Sequence, residues 1–173
     1  MNARLSALLE GLFGILFKVA MLALALMMLV IVCDVFMRYV LNHPLRGSYD
    51  LIEMLLPVVV FLGLPTVVAG RHDIVIDLID GLAPARITRL LIVTANVLAV
   101  GILCVVVLAM WDPALQAYRY GDVKLQLNMP IWILWIPAFV GVVATILAAI
   151  KVLVEVVDGR GQLEPKNEGI NLE

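Results

Sequence analysis

The chain has 173 residues, of which 64% are hydrophobic and 15% are charged, and its mean hydropathy is +1.08. A soluble domain is usually nearer to half apolar and a quarter charged, so this composition excludes an ordinary soluble protein and predicts an integral membrane protein. The formal net charge of -2 and the lack of any basic run argue against a nucleic-acid partner.

Four apolar segments are each long enough to cross a lipid bilayer. They cover about residues 16–39, 51–68, 90–111 and 131–150. Because about 20 apolar residues cross the ~30 Å hydrocarbon layer, we predict an all-α membrane protein with four transmembrane helices in one domain, residues 1–158. Residues 1–17 are either an amphipathic arm on the membrane surface or the start of one long tilted helix. The absence of a helix breaker before Lys18 favours the long helix.

Opposite charges lie well inside apolar segments only where the first span leads into the second. Asp34 and Arg38 are four residues apart, so a helix places them on one face, and Glu53 follows in the second span. Charged side chains in a membrane are costly and usually find a partner. We therefore expect Asp34, Arg38 and Glu53 to mark a contact with another helix or another protein. The alternative is that their charged ends simply reach the membrane surface from the helix ends.

Prolines and a glycine are expected to bend or end the helices of the second and third spans. Pro57 and Pro65 should kink the second helix, and neighbouring helices then have to satisfy the freed carbonyl groups. Residues 111–113, Trp-Asp-Pro, extend or bend the third helix, which Gly121 should end. Residues 123–128 alternate apolar and polar side chains, a weak extended pattern.

A short amphipathic segment lies between the second and third spans. Asp73, Asp77 and Asp80 are four and three residues apart, which predicts an interfacial helix over about residues 74–82. A strand over residues 74–76 is the alternative, but the spacing of the carboxylates favours the helix. The three carboxylates are typical of a solvated face and do not have the spacing of a calcium-binding loop. At the other end of the chain, residues 159–173 are polar and are predicted to be a disordered tail.

Lysine and arginine predict the sidedness of the chain. Eight of them lie in the terminal regions and in residues 71–89, whereas four lie in the other two loops. Positive residues are enriched on the cytoplasmic side of membrane proteins. Both termini, and the 159–173 tail, are therefore expected in the cytoplasm.

All the tryptophans and tyrosines fall at or near the span ends that should face outward. They are Tyr39, Tyr49, Trp111, Tyr118, Tyr120, Trp132 and Trp135. Aromatic belts normally decorate both membrane interfaces. A belt at one face suggests that this face also contacts a protein, because Trp and Tyr are favoured anchors in protein contacts. An uneven draw from seven residues is the alternative.

The sequence contains no pattern for catalysis, a metal or a cofactor. No span has a carboxylate at its centre, and the two histidines, His43 and His72, lie in loops, so a haem with two axial histidines has no ligands. Cys33 and Cys104 lie in apolar runs and indicate small packing residues rather than a disulfide or metal pair. Such a chain is expected to be non-enzymatic, without cofactor, and a subunit of something larger.

The run over residues 38–64 resembles the first hairpin of the small membrane subunit of tripartite ATP-independent periplasmic (TRAP) transporters, the DctQ/SiaQ type. The matching positions are Arg38, Tyr39, Pro44, Gly47, Tyr49, Asp50, Glu53 and Gly63. Residues 125–132 resemble the Pro-x-Trp start of the family's fourth span, and residues 73–84 resemble its His-Ile-x-Val-Asp and Leu-Pro motif. Asp73 stands where that motif usually has histidine, with His72 one place earlier. This departure leaves the role of the histidine open.

The resemblance implies a non-catalytic role in secondary active transport across the bacterial inner membrane. In such transporters a large membrane subunit of the DctM/SiaM type carries the sodium and substrate sites. A periplasmic binding protein delivers the substrate, usually an organic acid, and the small subunit is a four-helix scaffold beside the large one. The residues expected to contact these partners are Asp34, Arg38, Tyr39, Tyr49, Asp50, Glu53, Trp111, Trp132 and Trp135.

Two other functions stay open. A stand-alone four-helix transporter or channel would transport by itself and would need polar residues along a midplane path, which the spans lack. An anchor subunit or assembly factor of a respiratory complex would associate with a redox partner, and the sequence offers no ligand set for a haem or quinone.

Overall fold

A computed structural model describes residues 3–70 and 85–157 of the chain. Its elements are α1 (Ala3–Val40), α2 (Ser48–Ala69), α3 (Ala85–Tyr120), a 3₁₀ helix (Ile131–Leu134) and α4 (Trp135–Val157). Four helices in this part are long and apolar enough to span a membrane, which confirms the predicted fold class. The predicted interfacial helix over residues 74–82 and the tail over residues 159–173 lie outside the described residues.

The first helix is continuous from Ala3 to Val40. At 1.5 Å per residue its 38 residues extend about 57 Å, well beyond the ~30 Å hydrocarbon layer. Phe13 and Leu16, near its start, are buried in the core together with Leu62 of α2. The first residues therefore belong to one long helix that packs against the rest of the protein, as the lack of a helix breaker predicted.

The four helices form an open assembly around a central pair. α2 and α4 make the most extensive contact, α1 packs mainly against α2 with a smaller contact to α4, and α3 packs against α4 and the 3₁₀ helix. Within the described residues, no Cα atom of α3 lies within 8 Å of α1 or α2. The helices consequently do not close into a ring, and α3 keeps most of its apolar surface exposed.

The contact between α2 and α4 depends on a close approach at Gly141. A Cβ atom at this position would lie 2.2 Å from the carbonyl oxygen of Phe61. That carbonyl has lost its usual donor four residues later, because Pro65 has no N–H group. The small residues Ala144 and Ala148 extend the buried face of α4, as is common where membrane helices approach closely. The residue of α4 that packs against this free Phe61 carbonyl group is therefore a glycine.

Two polar contacts join the N-terminal part of α1 to α2 and α4. The Thr66 hydroxyl donates a hydrogen bond to the Phe13 carbonyl oxygen at 3.2 Å. Lys151, only 6% exposed, forms an ion pair with Glu10 at 2.7 Å. The buried ammonium group therefore has a carboxylate partner, as a charge at this depth requires.

The loop between α3 and the 3₁₀ helix is compact. α3 continues through Pro113 and ends at Tyr120, and Gly121 follows with a φ of +63°, so glycine ends the helix as predicted. The weak extended pattern over residues 123–128 does not form a strand. This segment instead makes a turn, closed by an isolated antiparallel bridge between Val123 and Pro130.

Candidate functional site

Asp34 closes the hairpin between α1 and α2. Its carboxylate accepts hydrogen bonds from the Arg38 guanidinium at 2.6 Å, the Leu45 backbone N–H at 3.1 Å and the Ser48 hydroxyl at 3.0 Å. Asp34 is 6% exposed. A buried carboxylate is tolerated when it is paired and hydrogen-bonded, and here three donors surround it. The i,i+4 spacing puts Asp34 and Arg38 on one helix face, and the structure shows that they pair and adds two donors from the turn.

Asp50 joins this hairpin to the loop that precedes α4. Its Oδ2 atom accepts hydrogen bonds from the backbone N–H groups of Gln126 at 2.9 Å and Leu127 at 3.1 Å. In return, the Gln126 side-chain oxygen accepts a hydrogen bond from the Gly47 N–H at 2.7 Å. Gly47 has a φ of +85°, and a Cβ atom there would lie 2.9 Å from the Leu127 side chain. Both features make glycine the residue that fits this position.

Glu53 forms an ion pair with Lys124 of the same loop, at 2.5 Å. The Glu53 side chain is largely exposed, whereas the Lys124 side chain is mostly covered. Asp34, Arg38 and Glu53, which the sequence places in one stretch, therefore take part in two separate contacts. Asp34 and Arg38 act within the first hairpin, and Glu53 helps to hold the second loop against α2.

These contacts place both loops at one end of the helix assembly. We call this end, formed by residues 38–53 and 118–135, the hairpin end. Since α1 and α3 end there while α2 and α4 begin there, the alternation expected for four spans is met.

The aromatic residues of the hairpin end fall into two groups. Tyr39 and Tyr49 are 83% and 75% exposed. Tyr120 is also exposed, at 77%. The other rings are paired: Trp111, which precedes the hairpin end on α3, lies edge-on to Phe139 at 6.3 Å, Tyr118 lies edge-on to Trp132 at 6.0 Å, and Trp135 is tilted against Phe139 of the same helix at 6.4 Å. The first two pairs join α3 to α4 and to the 3₁₀ helix, and Trp111 and Tyr118 also keep exposed surfaces.

No group of three or more His, Cys, Asp or Glu side chains that could hold a metal ion occurs among the residues that the structure describes. Cys33 and Cys104 are both free and exposed on their helices. The polar groups of the hairpin end mostly bond one another and hold its two loops together.

The chain was compared with known proteins. The family model for "Tripartite ATP-independent periplasmic transporters, DctQ component" matches residues 27–159. The chain belongs to the DctQ family. No curated protein and no solved structure gave a match.

The whole hairpin end of this DctQ-family chain lies inside the matched range. Family membership makes the chain a component of a TRAP transporter, and its four apolar helices make it a multi-pass protein of the inner membrane. Glu10 and Phe13, which contact α4 and α2, precede the matched residues. The core of this chain therefore extends beyond the part that the family model covers.

Sequence reasoning missed several residues that build the hairpin end of this DctQ-family chain. Ser48 lies three residues before the predicted start of the second span, where a serine is a common donor or cap. In the sequence, Gln126 and Lys124 belong to a weak extended pattern, and Lys124 is also one of the four positive residues of the outer loops. Nothing in the sequence pairs these two with Asp50 and Glu53, because the partners are more than 70 residues apart and meet only through helix packing.

Proposed function

We propose that this DctQ-family chain is the non-catalytic scaffolding subunit of a TRAP-type secondary transporter. It would pack beside a large membrane subunit that binds sodium and substrate, and a periplasmic binding protein would deliver an organic acid for cation-coupled uptake. The observation that carries the proposal is the family match over residues 27–159, more than three quarters of the chain.

The open helix assembly supports a scaffolding role. The most apolar 18-residue stretch of the third candidate span, Val93–Tyr120, has none of its residues buried. A helix that packs along one neighbour alone leaves broad apolar surface for lipid or for another membrane protein. The described helices also do not close around a central axis, so this arrangement offers no support for a channel formed by one copy of the chain.

The hairpin end supports the proposal that partners bind there. Asp34 and Asp50 use their carboxylates inside the protein, so we assign them to holding the surface in shape. Arg38, Tyr39 and Tyr49 present exposed groups on that shaped surface. Exposed tyrosines and a half-exposed arginine are frequent anchors in protein contacts. We propose that this surface faces the periplasm, with both termini in the cytoplasm, because eight of the twelve Lys and Arg residues belong in the sequence to the terminal regions and to residues 71–89.

The first experiment is a pull-down of the tagged full chain from native membranes in mild detergent, with the co-purifying proteins identified by mass. We expect a large membrane protein with about a dozen spans. Transport of the substrate by reconstituted complex, and no transport by this chain alone, would complete the test. A homo-oligomer that transports by itself would contradict the proposal.

A variant pair tests the hairpin end. We expect the double substitution Tyr39→Ala with Tyr49→Ala to weaken capture of a partner or uptake by tenfold or more, because exposed aromatic anchors often carry much of a contact's free energy. Phe17→Ala is the matched control, since Phe17 is an exposed aromatic residue of α1 that lies far from the hairpin end. Equal effects of the double tyrosine variant and of Phe17→Ala would show that the partner does not bind at Tyr39 and Tyr49.

A further inference from the structure

A polar cleft of about 500 Å³ opens beside the first hairpin. It is lined by Arg38, Pro44, Leu45, Arg46, Ser48, Tyr49 and Gln126. Its volume lies within the range of small-molecule sites in proteins. Two of its seven lining residues are arginines and none is acidic, which points to an anionic ligand.

The two arginines are not equally engaged. Arg38 donates to Asp34, and this pair is neutral as a unit. Arg46 makes no hydrogen bond or ion pair with any residue in the described part of the chain. Among the described residues, the Arg46 guanidinium therefore has no acidic partner, and its donors are available to a ligand. Arg38 has five N–H donors in all, so it can also turn a donor into the cleft while it keeps Asp34.

The position of the cleft at the ends of two candidate spans favours a lipid as its ligand. The first candidate span ends at Val40, two residues after Arg38, and the second begins at Ser48, so the cleft lies between the adjoining ends of two apolar helices. The exposed ring of Tyr49 lines it, and tyrosines are typical of the lipid head-group level. Below Arg38 on α1, the exposed side chains of Val35 and Ile31 lie three and seven residues back, on the same helix face.

We propose that this cleft binds the phosphate group of a phospholipid head group. Arg46 and Arg38 would donate to the phosphate oxygens, a geometry that the planar guanidinium group matches well. Pro44 and Leu45 would contact the glycerol region, and the acyl chains would follow Val35 and Ile31 towards the membrane interior. The proposal does not depend on the role of the chain in transport.

The test measures phospholipid binding to the full, delipidated chain in detergent by native mass spectrometry. The probes are a short-chain phosphatidylglycerol, the corresponding diacylglycerol without phosphate, and inorganic phosphate as a competitor. We expect phosphatidylglycerol to bind and the diacylglycerol not to bind. Arg46→Gln should weaken phosphatidylglycerol binding about tenfold, as expected for the loss of one charge-assisted contact.

Arg119→Gln is the matched control. Arg119 is an exposed arginine at the same end of the protein that does not line the cleft. Its substitution should leave lipid binding within about twofold of the unmodified chain, whereas Arg46→Lys should retain part of the binding because it keeps the charge without the guanidinium fork. Melting temperatures of all variants verify that they fold.

Each remaining outcome has a definite meaning. Equal losses for Arg46→Gln and Arg119→Gln, or equal binding of the two lipids, would overturn the proposal. Displacement of the lipid by inorganic phosphate at equal concentration would support the phosphate site and overturn the lipid as its source. Absence of phosphate-dependent binding, with loss of a protein partner in Arg46→Gln, would overturn the proposal in favour of an acidic side chain on that partner.

Discussion

The carboxylate of Asp50 accepts a hydrogen bond at 2.9 Å from the backbone N–H of Gln126, a residue 76 positions later in the chain. The first turn of α2 is thereby bonded directly to the loop that leads into α4. Because Gln126 in turn accepts a hydrogen bond from Gly47, the two loops hold each other in place. The surface at the hairpin end is consequently one structural unit rather than two separate turns.

Removal of the Asp50 carboxylate should release the second loop. Asp50→Ala leaves the N–H groups of Gln126 and Leu127 without their acceptor, and we expect the free energy of unfolding to fall by about 1–3 kcal/mol. Hydrogen–deuterium exchange should show faster exchange over residues 124–130. Asp122→Ala is the control, since the Asp122 carboxylate makes no contact within the described residues. Unchanged exchange in Asp50→Ala would contradict this role.

Exchanging the charges of Glu53 and Lys124 separates an internal role from a partner-binding role. Glu53→Lys alone places two ammonium groups together and should cost about 1 kcal/mol, and Glu53→Lys with Lys124→Glu should recover most of that loss in thermal unfolding. If the pair acts only inside the protein, the double variant also captures its partner normally. A stable double variant that no longer captures the partner would show that the partner recognises the sign of these charges.

Gly141 should not tolerate a side chain. Gly141→Ala forces a Cβ atom onto the Phe61 carbonyl oxygen, so α2 and α4 must move apart, and we expect a loss of about 1–3 kcal/mol in the free energy of unfolding. Gly101→Ala on α3 is the matched control, because a Cβ atom there meets nothing within 4 Å. That variant should melt at the same temperature or slightly higher, since alanine favours helix over glycine. Equal melting temperatures for the two variants would refute the close approach.

Asp34 should be more important for stability than its position near a helix end suggests. Asp34→Ala removes the acceptor for Arg38, the Leu45 N–H and the Ser48 hydroxyl at once, and we expect a clear fall in melting temperature. Ser48→Ala removes one of these three donors and should have a smaller effect. Asp112→Ala, at an exposed aspartate of α3 with no contact in the described part of the chain, should be neutral. A neutral Asp34→Ala would show that the hairpin holds its shape without this carboxylate.

Features that depend on residues close together in the chain can be predicted from the sequence. Composition and the length of the apolar runs predict four spans, because the bilayer sets a minimum length for each. The i,i+4 spacing of Asp34 and Arg38 puts both on one helix face, and the structure shows that they pair. The motifs around the first hairpin pointed to the DctQ family, and the family match confirmed this.

The way in which these elements combine depends on contacts that form only in the folded protein. The contact of α3 with α4 but not with α1 or α2, the ion pair of Glu53 with Lys124 and the bonds of Asp50 to the second loop all depend on residues far apart in the chain. Spans that are apolar on every side carry no periodic signal that selects a neighbour. Their partners are instead selected by local shape, as where Gly141 fits against Phe61, and by polar groups that meet only after the helices have packed.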